Sequence, residues 1–255
     1  MYEAVHAYPD GDATVARHAR TAARHGYDGI VVRTREALDV SDAAGSSEAV
    51  DDRDGAAAPS GGSIGALREE YGIDVVDAVE IDADDPGRAG GAVGTHRSDH
   101  TIVCVGGGDD RLNRYAVEEP RVDVLVRPAG ARGGFNHVLA KAARDNDVHV
   151  EFDFGPVLRS TGGQRVRALA GLRKLREIVT YYDAPHVVSA NAASHLELRA
   201  PREVVAVAET AGFDADWIRE GLAAWGEIAA RNRDRRSEAF IEPGVRRGRY
   251  EETRR

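Results

Sequence analysis

Five residues of this chain could grip an anion together: Arg111, Arg114, Arg132, His137 and Lys141. His137, Lys141 and Arg144 recur at the spacing that puts side chains on one face of a helix. Phe135, Val138, Leu139 and Ala142 recur on another face as its apolar stripe. Arg111 and Arg114 stand at the head of an earlier helix, and Arg132 projects from the glycine-rich loop leading into the later one. Cations in a first helical turn oppose the helix dipole by roughly 0.3 kcal/mol or more each. That placement makes sense where the ligand is a phosphate, because free helix amides and guanidiniums then act on it together. The competing reading is an ordinary solvated surface, since arginine is the default cation of this chain.

Hydrolytic chemistry would need other residues. A metal-dependent phosphoesterase on a β/α barrel gathers several His, Asp and Glu at strand ends, commonly starting with a His-x-His pair. Here His6 is followed by Ala7 and Tyr8, while Glu80 and Asp153 lie in or near strands. His96 and His100 fall in a connection, so the ligand set is incomplete. No nucleophile with a neighbouring base can be assembled, and Cys104, inside the apolar run Thr101–Val105, reads as a core residue. Gly106-Gly107-Gly108 lacks the later glycine of a dinucleotide loop and the Gly-Lys-Ser/Thr of a P-loop. Further polar groups follow two other strands: Arg159 and Ser160 after the Gly155-Pro156 turn, then Ser189, Asn191, His195, Arg199 and Arg202. Ser and Asn there serve equally well as helix caps.

The elements that must position these groups alternate almost throughout. Strands are expected at Tyr2–Ala7, Asp28–Arg33, Asp74–Ile81, Thr101–Val105, Val122–Arg127, His149–Phe154 and His186–Ala190. Helices are expected between them, with a long one over Gly163–Tyr182 and two more at Pro201–Ala211 and Ala215–Asp234. Strands separated by helices pair in parallel through right-handed crossovers. The expected fold is therefore α/β, a TIM-like β/α barrel, with an eighth strand hidden around Ala211–Phe213. In such a barrel the loops after the strands share one face, where sites are built. Residues 1–235 form one domain on this reading. Residues 36–63 are an acidic insertion expected to be disordered, and 236–255 a tail expected to be flexible.

Composition narrows the setting. The 255 residues carry a net charge of −9, and of 34 basic residues only Lys141 and Lys174 are lysine. Abundant surface carboxylate with almost no lysine matches adaptation to a salt-rich cytoplasm, as in haloarchaea. At molar salt the screening length is about 3 Å, so net negative charge says little against an anionic partner. Bidentate arginine contacts survive such screening. No apolar run approaches a membrane span and no basic-then-apolar segment opens the chain, which points to a cytoplasmic protein without a membrane partner.

Several stretches, taken in order, resemble a known family. They are Arg132 with Phe135-Asn136-His137-Val138-Leu139-Ala140-Lys141, then Phe152-Asp153-Phe154-Gly155-Pro156-Val157-Leu158-Arg159-Ser160. Val187-Val188-Ser189-Ala190-Asn191 and Arg199-Ala200-Pro201-Arg202 complete the set. The chain from Tyr2 to Arg235 resembles the ribonuclease P protein component 3 family, archaeal relatives of a eukaryotic ribonuclease P subunit. The resemblance implies a barrel of the polymerase-and-histidinol-phosphatase type without a complete metal site. It implies a subunit of an endoribonuclease whose RNA component removes the 5′ leader of precursor tRNA, with magnesium on the RNA and no cofactor or metal on this chain. Its partners would be the ribonuclease P RNA, protein component 2 and the other ribonuclease P proteins, with precursor tRNA met indirectly. Arg111, Arg114, Arg132, His137 and Lys141 would then contact phosphate and sugar, with Arg159, Arg173, Arg199 and Arg202 as further candidates. A divergent metal-dependent phosphoesterase is the alternative, and a scaffold that meets only proteins is a third reading.

Overall fold

The computed structural model describes residues 1–34, 64–129 and 134–237, together with the backbone of 240–242 and 245–246. The acidic insertion 36–63, Arg132 and most of the tail lie outside the described residues.

Seven strands form one parallel sheet in chain order: β1 (Tyr2–Val5), β2 (Gly29–Thr34), β3 (Asp74–Ile81), β4 (Ile102–Gly106), β5 (Val124–Val126), β6 (His149–Asp153) and β7 (His186–Ser189). Between them lie α1 (Val15–His25), α2 (Ile64–Tyr71), α3 (Pro86–His96), α4 (Asp110–Glu118), α5 (His137–Asp145), α6 (Gly155–Arg159) and α7 (Gly162–Tyr181). Helices α8 (Pro201–Thr210) and α9 (Ala215–Arg235) follow β7. The strands are short runs of Val and Ile, the composition of strands covered on both faces. Side chains alternate accordingly. Val5, Ile30, Val32, Val75, Val103, Leu125 and Val150 face the helices, whereas Ala4, Val31, Val76, Ile102, Cys104, Val124 and Val187 fill the barrel.

The expected eighth strand is not there. Gly212, at φ +88°, and the bond from Phe213 N to Ala208 O make Ala211–Phe213 a turn between α8 and α9. Helix α9 takes the missing position, packing on both β7 and β1. The seam between those strands is closed in three tiers. At the top, Val5 bridges to Ala192, with His6 N donating to Ala192 O at 2.9 Å. In the middle, the carboxylate of Glu3 accepts from the amides of Ala190 (2.7 Å) and Asn191 (3.1 Å). Below, the indole of Trp225, fully buried, donates to Val188 O at 3.0 Å. Trp225, Ile228 and Ala229 thus complete the interior apolar layer. The C-terminal half of α9 then reaches the strand starts, with Asn232 donating to Thr101 O (2.9 Å) and Asp123 (2.8 Å) and Arg233 pairing with Asp74 at 2.7 Å.

Two smaller differences from the sequence reading concern local geometry. Asn136 caps α5, its side chain accepting from Val138 N (2.9 Å) and Leu139 N (3.2 Å), so Phe135 precedes the helix and packs from outside it. The buried stripe is therefore Leu139, Ala140 and Ala143, while Val138 is 46% exposed. Beyond α9, β8 (Phe240–Glu242) and β9 (Val245–Arg246) pair as an antiparallel hairpin that sequence periodicity does not signal.

Candidate functional site at the barrel mouth and on helices four and five

Above the apolar layer the barrel interior turns charged. Arg33, on the inward face of β2 and fully buried, directs Nη1 to Glu151 at 2.9 Å and to Glu80 at 3.4 Å; its Nη2 donates to the side chain of Asn191. The guanidinium also lies over the Trp225 ring, 5.8 Å from its centroid. Ser189 donates to Glu151 at 2.6 Å, and Asn191 and the amide of Gly155 both donate to Asp153, at 3.2 and 2.7 Å. Arg127, at φ +51°, turns back after β5 and pairs with both Glu80 and Asp82.

Glycines make this closeness possible. A Cβ at Gly106 would overlap Asp82 and approach Arg127 Nη2 to 2.7 Å; one at Gly155 would stand 2.8 Å from both Ala190 O and Asp153 Oδ1. Gly106 thus gives Arg127 room, and Gly107 leaves room for the Asn113 side chain.

The network shifts its members in opposite directions. Burial pushes Glu3 up to about 7 although Ala190, Tyr27 and Asn191 all donate to it. Desolvation likewise raises Glu151 and Asp153. For Glu80, burial works upward, but Arg33 and Arg127 together bring the carboxyl below its ordinary value. Burial also works against the charged forms of Arg33 and Arg127, and the facing carboxylates outweigh it in both. His6, 3.7 Å from Glu80, is lowered by burial and by Arg33, which favours the neutral ring.

A divalent metal ion does not fit this arrangement. Glu80 Oε1 is taken by Arg127, its Oε2 faces Arg33 and His6, and Asp153 already accepts from Gly155 and Asn191. Among the described residues no group of three or more His, Cys, Asp or Glu is arranged to hold a metal.

The sequence-predicted anion site lies on the outer helices. Asp109 caps α4, accepting from the amides of Arg111 (2.8 Å) and Leu112 (3.3 Å), and leaves the side chains of Arg111 and Arg114 exposed. Helix α4 packs on α5, where His137 and Lys141 are exposed. Among the described residues none of these four makes an ion pair within 4 Å. Tyr182, just beyond α7, backs the two on α5: Lys141 Nζ sits 5.4 Å and the His137 ring 6.2 Å from its centroid.

The other candidates divide. Arg159 donates to Ala190 O (2.9 Å) and Asn191 O (3.1 Å), gripping by their carbonyls the two residues whose amides Glu3 holds. Arg199 Nη1 donates to Leu196 O (3.1 Å) and Leu198 O (3.0 Å), stapling its own loop. Arg173 Nε donates to Ala211 O at 2.9 Å beside a groove of about 470 Å³ between α7 and α8. Arg202 is exposed in the first turn of α8. Arg111 and Arg114 thus stand exposed on α4, and His137 and Lys141 on the neighbouring α5, whereas Arg159 and Arg199 have structural tasks. Sequence reasoning missed Arg33, Arg127 and Glu151. A charged residue inside an apolar strand run, as in Gly29-Ile30-Val31-Val32-Arg33 and Val150-Glu151-Phe152, was the signal available.

A family model described as RNase P subunit p30 matches residues 1–237. The chain belongs to that family. It is 75% identical over 252 residues to ribonuclease P protein component 3 of Halorubrum lacusprofundi, covering 99% of each chain. It is 57% identical to the component 3 of Haloarcula marismortui over 96% of each chain. The p30-family relative from Methanosarcina barkeri is 35% identical over 90% of this chain and 88% of its own. In fold, this p30-family chain superposes on a chain of the cryo-EM structure of archaeal ribonuclease P with mature tRNA. The TM-score is 0.78 at 20% identity, over 99% of this chain and 100% of that one. A Xaa-Pro dipeptidase shares the barrel more distantly, with a TM-score of 0.54 at 11% identity over 92% and 76% of the two chains.

Proposed function

We propose that this chain is a non-catalytic protein subunit of ribonuclease P that supports RNA-catalysed removal of the 5′ leader from precursor tRNA. The observation that carries this reading is the full-length likeness to relatives named ribonuclease P protein component 3. It works in the cytoplasm with the ribonuclease P RNA and with protein component 2, and the magnesium that the reaction uses belongs to the RNA. No helix among the described residues is long and apolar enough to cross a membrane. The exposed cations of α4 and α5 supply contacts to phosphate and sugar, which fix register on a folded RNA without reading its sequence. Arg132 is part of the same proposal, and Arg202 adds a contact beside α8. The alternative of a metal-dependent phosphoesterase is disfavoured by the guanidiniums that already engage Glu80, Asp82 and Glu151.

The deciding experiment is cleavage of a precursor tRNA by the cognate RNA at limiting magnesium and high salt, with and without this chain plus component 2. Stimulation that disappears when this chain is left out, and no cleavage when the RNA is left out, is the expected result. Cleavage unaffected by this chain would overturn the proposal.

A further inference from the structure

The charged layer of the barrel contains more acid than an apolar interior tolerates. Glu80 and Glu151 point inward from opposite sides of the barrel, on β3 and β6, and are 4% and 1% exposed. Asp82 and Asp153 extend the same two inward rows. A carboxylate left uncompensated in such surroundings destabilises the fold, because its lost hydration is not replaced. Folds that gather inward carboxylates at strand ends commonly meet that cost with a bound metal ion.

We infer that Arg33, seconded by Arg127, is this barrel's own resident cation: it holds Glu80, Glu151 and Asn191 as a divalent ion would, and makes the mouth a closed clamp instead of a metal site. Arg33 crosses the lumen to Glu151, 118 residues away, and to Asn191, 158 residues away, so one side chain ties β2 to β3, β6 and the end of β7. A guanidinium can do this because its donors fork in one plane; an ammonium is a point charge that would favour one carboxylate. The Trp225 ring beneath gives the cation an aromatic floor. The remaining soft donor nearby, Cys104, is fully buried and held as the thiol, its ionisation pushed well up by that burial. Glu80 Oε2 faces Arg33 at 3.4 Å without a hydrogen bond and Glu151 Oε2 has none, so these two oxygens are the ones a different cation could reach once the guanidinium is removed. This inference stands apart from the ribonuclease P reading and does not depend on it.

The test uses the full-length chain in molar KCl, free of phosphate, with Mn²⁺ as probe and melting temperature as readout. Wild type is expected to melt at the same temperature with and without Mn²⁺. Arg33→Gln is expected to melt lower and to regain much of the loss with Mn²⁺, a response removed by adding Glu80→Gln. Arg33→Lys keeps a charge and should show no Mn²⁺ response. Arg33→Gln with Glu151→Gln should melt above Arg33→Gln alone in the absence of metal, because removing the stranded carboxylate relieves the same cost. Two results would overturn the inference. One is a Mn²⁺ response of wild type that Glu80→Gln abolishes, since the native mouth would then be a metal site. The other is an Arg33→Gln chain that fails to fold with or without Mn²⁺ and is not improved by Glu151→Gln, since Arg33 would then matter through packing and not through charge.

Discussion

The indole nitrogen of Trp225 donates to the backbone carbonyl of Val188, 3.0 Å away, at a sheet edge that another strand would otherwise satisfy. A seven-strand barrel has an open seam, and an unpaired buried carbonyl costs as much as a lost hydrogen bond. Here a side chain from a helix stands in for a strand.

Replacing Trp225 by Phe keeps most of the apolar volume but leaves that carbonyl without a donor. The expected loss is about 1–3 kcal/mol of unfolding free energy. Trp225→Ala adds a cavity inside the barrel and should cost about 3–5 kcal/mol. Denaturant titration of both variants measures the two contributions; a Trp225→Phe chain as stable as wild type would mean that the hydrogen bond contributes nothing.

Arg111→Ala, Arg114→Ala and Lys141→Ala should leave the melting temperature unchanged, since each side chain is exposed and makes no ion pair among the described residues. Each is expected to weaken binding to the ribonuclease P RNA and to lower the slope of log affinity against log salt by about 0.7–0.9. Arg159→Ala and Arg199→Ala should show the reverse, a lower melting temperature at matched RNA affinity, because their donors serve backbone carbonyls. Filter binding at several KCl concentrations, paired with thermal melts, separates the two classes.

Glu3 gives the fold a pH dependence of definite sign. Tyr27 has one hydroxyl proton and two oxygens in reach, Glu3 Oε2 at 3.0 Å and Arg199 O at 2.9 Å. Sharing that one proton with Arg199 O weakens the support Tyr27 gives to the Glu3 carboxylate, in keeping with a carboxyl pushed up to about 7 by burial. Because the folded value lies above the unfolded one, this stabilisation is complete below about 4.5 and is lost as pH rises through about 7. His18 and His149, lowered to about 4 mainly by burial, act oppositely, losing stability as pH falls from 6.5. Comparison with Glu3→Gln isolates the Glu3 contribution, since an amide mimics the protonated acid. The variant's melting temperature relative to wild type should climb between pH 5 and 8; a difference that stays flat over that range would rule the mechanism out.

Gly155→Ala puts a methyl group 2.8 Å from Ala190 O and from Asp153 Oδ1, a backbone oxygen and a carboxylate held by two donors. Neither can move cheaply, so a loss of about 1–3 kcal/mol is expected. Chemical denaturation checks it, with Gly171→Ala, in open space inside α7, as the unhindered comparison that should gain about 0.5–1 kcal/mol.

Much of this architecture is legible in the sequence, because short Val/Ile runs alternating with amphipathic stretches admit few arrangements. All seven strands fall where those runs stand, whereas the caps Asn136 and Asp109 show themselves only in the structure, which is why spacing alone puts Phe135 inside the helix. The replacement of an eighth strand by α9 is not legible. Ala215–Arg235 reads as an ordinary amphipathic helix, and nothing local says that Trp225 enters the barrel. The pairing of Arg33 with Glu151 is equally hidden, since contacts across 118 residues have no local periodicity. For the proposed anion site, spacing places Arg111, Arg114, His137 and Lys141 on adjacent helices, but it cannot tell an exposed arginine from one committed to carbonyls, as Arg159 and Arg199 are.

Closure by α9 also sets an order of assembly. On the ribosome, β1 is made first, yet the helix that seals its seam is complete only at Arg235, after every other stave of the barrel has emerged. Until then the growing chain carries an unsealed strand edge and an uncovered lumen, the features that invite mispairing and aggregation in nascent proteins. The last helix is therefore the piece whose synthesis first allows the barrel seam to be sealed.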